Sequence, residues 1–338
     1  MANYILLIPL ISSFFVTLFM LPYWLRKARQ INLEWPDMNK SSKTKVAGSG
    51  GMIAVLGFII GVLIYVAYVV FILQSYNSQI IEILALLTVI VLLSSLGFVD
   101  DILGWQHGGL RRRHRIVIIA LSAIPLMAIN AGKSLISIPF LGVADIGILY
   151  PLIVIPIGIV GATATFNFLA GFNGLEAGQG IIILSALSIV SYLTGNSWLA
   201  LILLCMVSSL IAFLFYNFYP AKVFPGDSLT YAVGALIAIA AILGDFERIA
   251  VFFFIPYILE FLLKSRGGLI KQSFGKPDKN NTLNLQYEKI YGLTHLSIFL
   301  MKKFNIRPTE KSVVLSIWLF QIIIVILGFI FFKNGIFK

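Results

Sequence analysis

About ten stretches of this chain are apolar for long enough to cross roughly 30 Å of membrane hydrocarbon as helices. They run 4–24, 47–73, 80–98, 115–131, 148–166, 180–194, 198–217, 228–244, 247–264 and 313–332. A segment in lipid must satisfy its backbone N–H and C=O groups internally or in a closed barrel, so stretches of this length read as helices. Two of them, 180–194 and 228–244, are short. Only the Thr194-Gly195-Asn196-Ser197 break separates 180–194 from 198–217. Hydrophobic residues make up 59% of the 338 and charged residues 12%, too few charges to cover a soluble protein. The expected fold is all-α, a polytopic transmembrane bundle of about ten spans forming a single integral-membrane domain over 1–338.

Orientation follows from the cations. With ten spans and the N-terminus outside, the internal loops are 25–46, 99–114, 167–179, 218–227 and 265–312, and both termini lie on the non-cytosolic side. Those loops and their helix ends then hold 21 of the 25 Lys and Arg residues, leaving only Lys133, Arg248, Lys333 and Lys338 outside them. That asymmetry fits the rule that cytoplasmic loops are basic. The net charge of +11 therefore belongs to one face, where it attracts anionic headgroups and suits anionic soluble ligands. Nucleic acid is not expected, because only 265–312 is long enough to present a surface to it. The first stretch lacks a basic n-region and is followed by Arg26-Lys27-Ala28-Arg29, so it reads as a retained anchor, not a cleaved signal. Cys205, the only cysteine, lies in an apolar stretch, so no disulfide or cysteine metal site is available. No internal repeat is evident.

Three polar strings interrupt the hydrocarbon, all on the same expected side. Asp100 and Asp101 end the third span; neighbours on a helix point about 100° apart, so the two acids suit different tasks. One would hold or orient a metal and the other contact a base or substrate; the alternative is a solvated helix end beside the Arg111–Arg115 run. Asn167 to Gln179 carries Gly171, Gly174 and Gly178, with Gly180 following, a spacing that allows tight turns and close backbone approach to a ligand. Its Asn167 and Asn173 offer amides that ligate magnesium or read a base edge, and Glu176 is its only acid. Asp227, in Phe224-Pro225-Gly226-Asp227-Ser228, reads equally as a ligand and as a helix N-cap. Phe224 would stack on a base or pack in the membrane interface. In 265–312, Lys276 and Lys279 are candidates for phosphate or sugar contact, against a plain solvated loop. His295 has no second His or Cys at ligand spacing, so zinc is not expected.

Together these strings resemble the polyprenyl-phosphate N-acetylhexosamine-1-phosphate transferase superfamily, and within it the dolichyl-phosphate N-acetylglucosamine-1-phosphotransferase branch. The resemblance runs from Asp37-Met38-Asn39-Lys40 to the last internal loop, and Leu169–Gln179 (LAGFNGLEAGQ) is its most specific element. It implies a ten-helix architecture and an active site facing the cytosol of a plasma membrane or its equivalent. It further implies that Asn167 and Asp227 ligate Mg2+, with Mn2+ as the alternative ion. Gly171 and Asn173 would read uracil, with Phe224 stacking on it and Met38 near the uridine pocket. Asp100 and Asp101 would be the acidic pair at the metal and the acceptor phosphate. Glu176 joins Lys276 and Lys279 as a weaker phosphate or sugar contact. Gly104 stands where the family has asparagine three residues after the acidic pair, and Arg115 is the best match to a lysine that helps place phosphate; arginine is a wider, bidentate cation. The family's arginine-rich last loop and the tandem histidines of the muramoyl-peptide branch are not evident.

The implied activity transfers N-acetylglucosamine-1-phosphate from UDP-N-acetylglucosamine to polyprenyl or dolichyl phosphate, releasing UMP. The implied partners are those two substrates and membrane lipid, with a homodimer as the assembly to test. The alternatives are the same reaction with another UDP-N-acetylhexosamine for surface polymers, or a polytopic transporter using Glu82 and Glu260 as pathway residues.

Overall fold

The computed structural model describes residues 4–42, 44–75, 78–138 and 142–336; Lys43 and Lys338, two cations of the topology argument, lie outside them. Helix α1 (Leu7–Gln30) buries Pro9, Ser13, Thr17, Leu21 and Ala28, one stripe along its length, and turns its other faces outward. A short antiparallel hairpin follows, β1 (Glu34–Pro36) and β2 (Lys45–Ala47). Helix α2 (Gly51–Ala67) continues through a π turn at Tyr68–Ile72, and α3 (Ser78–His107) is the longest element. Then come α4 (Arg112–Leu121), α5 (Ile124–Ala128), and a second hairpin of β3 (Leu135–Ile138) and β4 (Gly142–Asp145). Helices α6 (Ile155–Phe168), α7 (Leu175–Leu193), α8 (Ser197–Asn217) and α9 (Gly226–Gly244) form the middle of the chain. The last part holds α10 (Glu247–Phe253), α11 (Ile255–Ser265), a minimal hairpin of β5 (Lys276–Pro277) and β6 (Leu283–Asn284), α12 (Leu293–Lys303), α13 (Glu310–Phe331) and α14 (Lys333–Ile336).

Eight helical stretches among the described residues are long and apolar enough to cross a membrane. The expectation of ten continuous spans is corrected at two places. The stretch 115–131 is split into α4 and α5 before Pro125, and 247–264 into α10 and α11 before Pro256. Proline removes one ladder hydrogen bond, and its ring clashes with the carbonyl four residues back. The two short stretches turn out longer than the apolar pattern alone marks: α7 and α9 have 19 residues each, about 28 Å of helix. The all-α expectation also misses three two-stranded hairpins, all in the connections.

Helix α9 is the centre of the bundle, buried on nearly all sides and packed against α2, α3, α6 and α7. Helices α1, α2 and α8 pack together on one flank, and α13 lies on α7. All five loops expected to be internal converge at one end. Asn39 bonds Gly171 and Gly275, Arg112 bonds the Leu269 carbonyl, and Phe224 N donates to Ala47 O.

Candidate active site

Helix α3 runs on to His107, so Asp100 and Asp101 lie inside a helix; the expectation that they end it does not hold. Their divergence does. Asp100 pairs with Arg115, accepts Leu110 N at 2.7 Å, and accepts the Tyr231 hydroxyl at 3.4 Å. Asp101 turns toward α9 and accepts Asp227 N at 2.8 Å. Two glycines allow that approach. A Cβ on Gly97 would stand 2.4 Å from the Asp227 carbonyl carbon, so α3 can lie against the start of α9 only without one. Gly226 has φ +70, and a Cβ there would meet Asp101 Oδ2 at 2.2 Å.

The N-cap reading of Asp227 is also corrected. Helix α9 starts at Gly226, and its N-cap position is Pro225, not Asp227. Asp227 instead accepts Asn167 Nδ2 at 2.7 Å through Oδ1, and the same amide reaches Thr230 Oγ1 at 2.8 Å. The last turn of α6 thus meets the first turn of α9, where a carboxylate is favoured by the helix dipole.

Charge is unbalanced here. Arg115 serves Asp100 and stands 3.7 Å from Asp227 Oδ2, while Asp101 forms no ion pair among the described residues. Asp101 Oδ2 is buried without a hydrogen-bond partner. Three carboxylates around one guanidinium at a half-open site call for a further cation. No group of three or more His, Cys, Asp and Glu side chains among the described residues is arranged to hold a metal by itself. Two carboxylates and one amide oxygen do fit a hard divalent ion that completes its shell with water and ligand phosphate, the usual pattern for magnesium.

Asp101, Asn167 and Asp227 line one end of a cavity of about 440 Å³. Trp35, Met38, Phe224 and Phe274 line it elsewhere, with Gly171 and Glu176 also on its wall. The β1–β2 hairpin is held there because Ala47 pairs in parallel with Val223, and Gly50 N and Gly51 N donate to the Phe224 and Pro225 carbonyls. The buried Glu176 accepts Gly171 N at 2.8 Å and shapes the turn between α6 and α7. Flat apolar walls at one side and excess negative charge at another suit a ligand with an aromatic ring and a polyphosphate that arrives with its cation.

Not every candidate reaches the wall. Asn173 is buried behind it, donating to Asp37 Oδ2 at 3.0 Å and Glu310 Oε2 at 3.4 Å. Lys276 and Lys279 are exposed on the β5–β6 hairpin and do not line the cavity. Sequence reasoning missed Trp35, Thr230, Gln272 and Phe274 on the wall. Thr230 alone had a signal, its three-residue spacing from Asp227 on a helix. His295 places its Nε2 3.2 Å from the Phe274 carbonyl. Glu260, weighed as a transport residue, accepts Leu293 N at 2.6 Å and pairs with Lys264. Lys264 in turn donates to the Phe168 carbonyl at the end of α6.

Known proteins point the same way. The family described as Glycosyl transferase family 4 matches residues 83–245. A Saccharolobus solfataricus protein is 35% identical over 95% of this chain and 96% of its own length. It is named, as a provisional assignment, UDP-N-acetylglucosamine–dolichyl-phosphate N-acetylglucosaminephosphotransferase. The Dictyostelium discoideum protein of that activity is 31% identical, over 69% of this chain and 65% of its own length. A phospho-N-acetylmuramoyl-pentapeptide-transferase from Lactiplantibacillus plantarum is 30% identical over 74% of this chain and 79% of its own length. These likenesses agree with the resemblance read from Asp37 to Lys40 and Asn167 to Gln179.

Proposed function

This chain belongs to glycosyl transferase family 4, and from that premise we propose that it transfers N-acetylglucosamine-1-phosphate from UDP-N-acetylglucosamine to a polyprenyl phosphate of the dolichyl type. A phosphate oxygen of the lipid attacks the β-phosphorus. The bond from that phosphorus to the bridging oxygen breaks, and its electron pair leaves with UMP. One phosphoanhydride replaces another, so the reaction is close to thermoneutral and catalysis is mostly positioning and charge stabilisation. A phosphate monoester is largely ionised at neutral pH, with a second pKa of about 6, so no strong general base is required.

The observation that carries this reading is the meeting of Asp101, Asn167 and Asp227 on the wall of a cavity also lined by Trp35, Phe172, Phe224 and Phe274. Those three side chains would hold Mg2+, which neutralises the diphosphate and the departing UMP when bound. Phe224 and Trp35 flank the nucleoside. Arg115, paired with Asp100, 3.7 Å from Asp227 Oδ2 and 30% exposed at its side chain, would meet a phosphate through the exposed part of its guanidinium. Asp100 keeps the guanidinium in place. The acceptor's tail stays in lipid while its phosphate meets this end of the bundle, which we assign to the cytosolic side from its load of Lys and Arg.

The test is magnesium-dependent exchange of labelled UMP into UDP-N-acetylglucosamine by purified protein with polyprenyl phosphate present. Absence of exchange in folded protein would sink the proposal. Product identification across several UDP-N-acetylhexosamines decides the sugar, and a different preferred sugar replaces the finer assignment while leaving the reaction class intact.

A further inference from the structure

The geometry points to Glu310 as a positioning residue that sets the affinity for the uridine nucleotide from behind the cavity wall; this rests on the function proposed above. Glu310 opens α13, far along the chain from the three polar strings, and is 3% exposed. It does not line the cavity. Its Oε1 accepts Asn173 N at 2.9 Å and Asn39 Nδ2 at 3.4 Å, and its Oε2 accepts Asn173 Nδ2 at 3.4 Å. Asp37 Oδ2 takes the same Asn173 amide at 3.0 Å and pairs with Lys40 at 2.8 Å. Asn39 then ties two further walls, donating to Gly171 O at 2.8 Å and accepting Gly275 N at 3.0 Å.

Two segments meet on this carboxylate, the first hairpin loop and the turn between α6 and α7, and Asn39 links the chain after α11 to them. Each of the three contributes a wall residue beside its anchor, namely Met38, Phe172 and Phe274. Every group offered to Glu310 is an N–H donor, so only an acceptor on both oxygens satisfies them all. A buried acid beside a second acid, Asp37, is costly without such donors; here they and the N-terminal end of α13 offset part of that cost. The acids at the other end of the cavity are held by α3, α6 and α9 and make no bond to Glu310. Glu310 therefore governs the fit of the nucleoside and not the transfer step.

Glu310→Gln separates these roles. Its oxygen can still accept Asn173 N, but its NH2 faces the Asn173 NH2, donor against donor. In the exchange assay the expected result is a KM for UDP-N-acetylglucosamine raised about tenfold with kcat within about twofold of wild type. Glu310→Asp, too short to reach both groups, is the second variant and shifts KM in the same sense. In an Asn173→Ala background, Glu310→Gln adds less than about twofold, because both changes remove one shared contact. An unchanged KM in both variants, a loss confined to kcat, or fully multiplicative effects with Asn173→Ala would each overturn the inference. So would failure of both variants to fold, which would leave Glu310 a scaffold residue. Wild-type protein without exchange would overturn the proposed function itself; exchange by wild type beside unaltered variants overturns this inference alone.

Discussion

Asp227 and Gly226 concentrate the demands placed on single side chains. Asp227→Asn keeps an acceptor for Asn167 but removes a charge from the cluster. Exchange activity should fall by about a hundredfold or more, the scale of losing a key electrostatic contact, and the remaining activity should need more magnesium. A variant with wild-type rate and wild-type magnesium dependence would exclude Asp227 as a ligand. Gly226→Ala meets Asp101 Oδ2 at 2.2 Å and must hold φ near +70, a conformation costing about 1–2 kcal/mol for an L-residue. Its thermal midpoint in detergent should drop and its activity should be lost with it. Asp227 was legible as a candidate from its string, but the choice between cap and ligand was not. That choice depended on whether α9 begins before or after residue 227, and a helix boundary is the least determined feature of an apolar pattern.

Among the elements, the last loop and α12 are where sequence said least. The loop is polar and unperiodic and α12 is too short for a span, so their order comes from what they touch. His295 sits on α12, buried at 1% exposure beside the Phe274 carbonyl. Burial holds its imidazole below the ordinary range, the nearby Lys264 cation adds to that, and the bond to Phe274 O opposes it. The unfolded chain therefore takes a proton first as pH falls, so stability present at neutral pH declines below about 6.5. The thermal midpoint of wild type should drop more steeply between pH 7 and pH 5.5 than that of His295→Gln; parallel curves would refute this. The split of α4 from α5 and of α10 from α11 was legible in principle, since Pro125 and Pro256 stand at the breaks. Proline is tolerated in membrane helices, so its presence alone does not mark a break.

For the whole molecule, direction of the helices is the testable property. Lys133 pairs with Asp245 at the end of the bundle opposite the cavity, whereas Lys279 is exposed on the hairpin after α11. The basic asymmetry predicts that Lys279→Cys is labelled by an impermeant thiol reagent only from the cytosolic side, and Lys133→Cys only from the other. Labelling of both from one side would contradict the topology. The native Cys205 is buried, so background labelling should be low.

The sequence by itself determined the class of architecture, the alternation that gathers five loops at one end, and most of the side chains at the acidic end of the cavity. Those follow from hydrocarbon length, cation placement and short polar strings, all local or additive along the chain. Only the tertiary structure decided which acid faces which partner, that Asn173 lies behind the wall, and that Glu310 ties the first hairpin loop to the turn between α6 and α7. Such contacts join residues more than a hundred positions apart, and they depend on the angles at which packed helices meet, which no run of sequence encodes on its own.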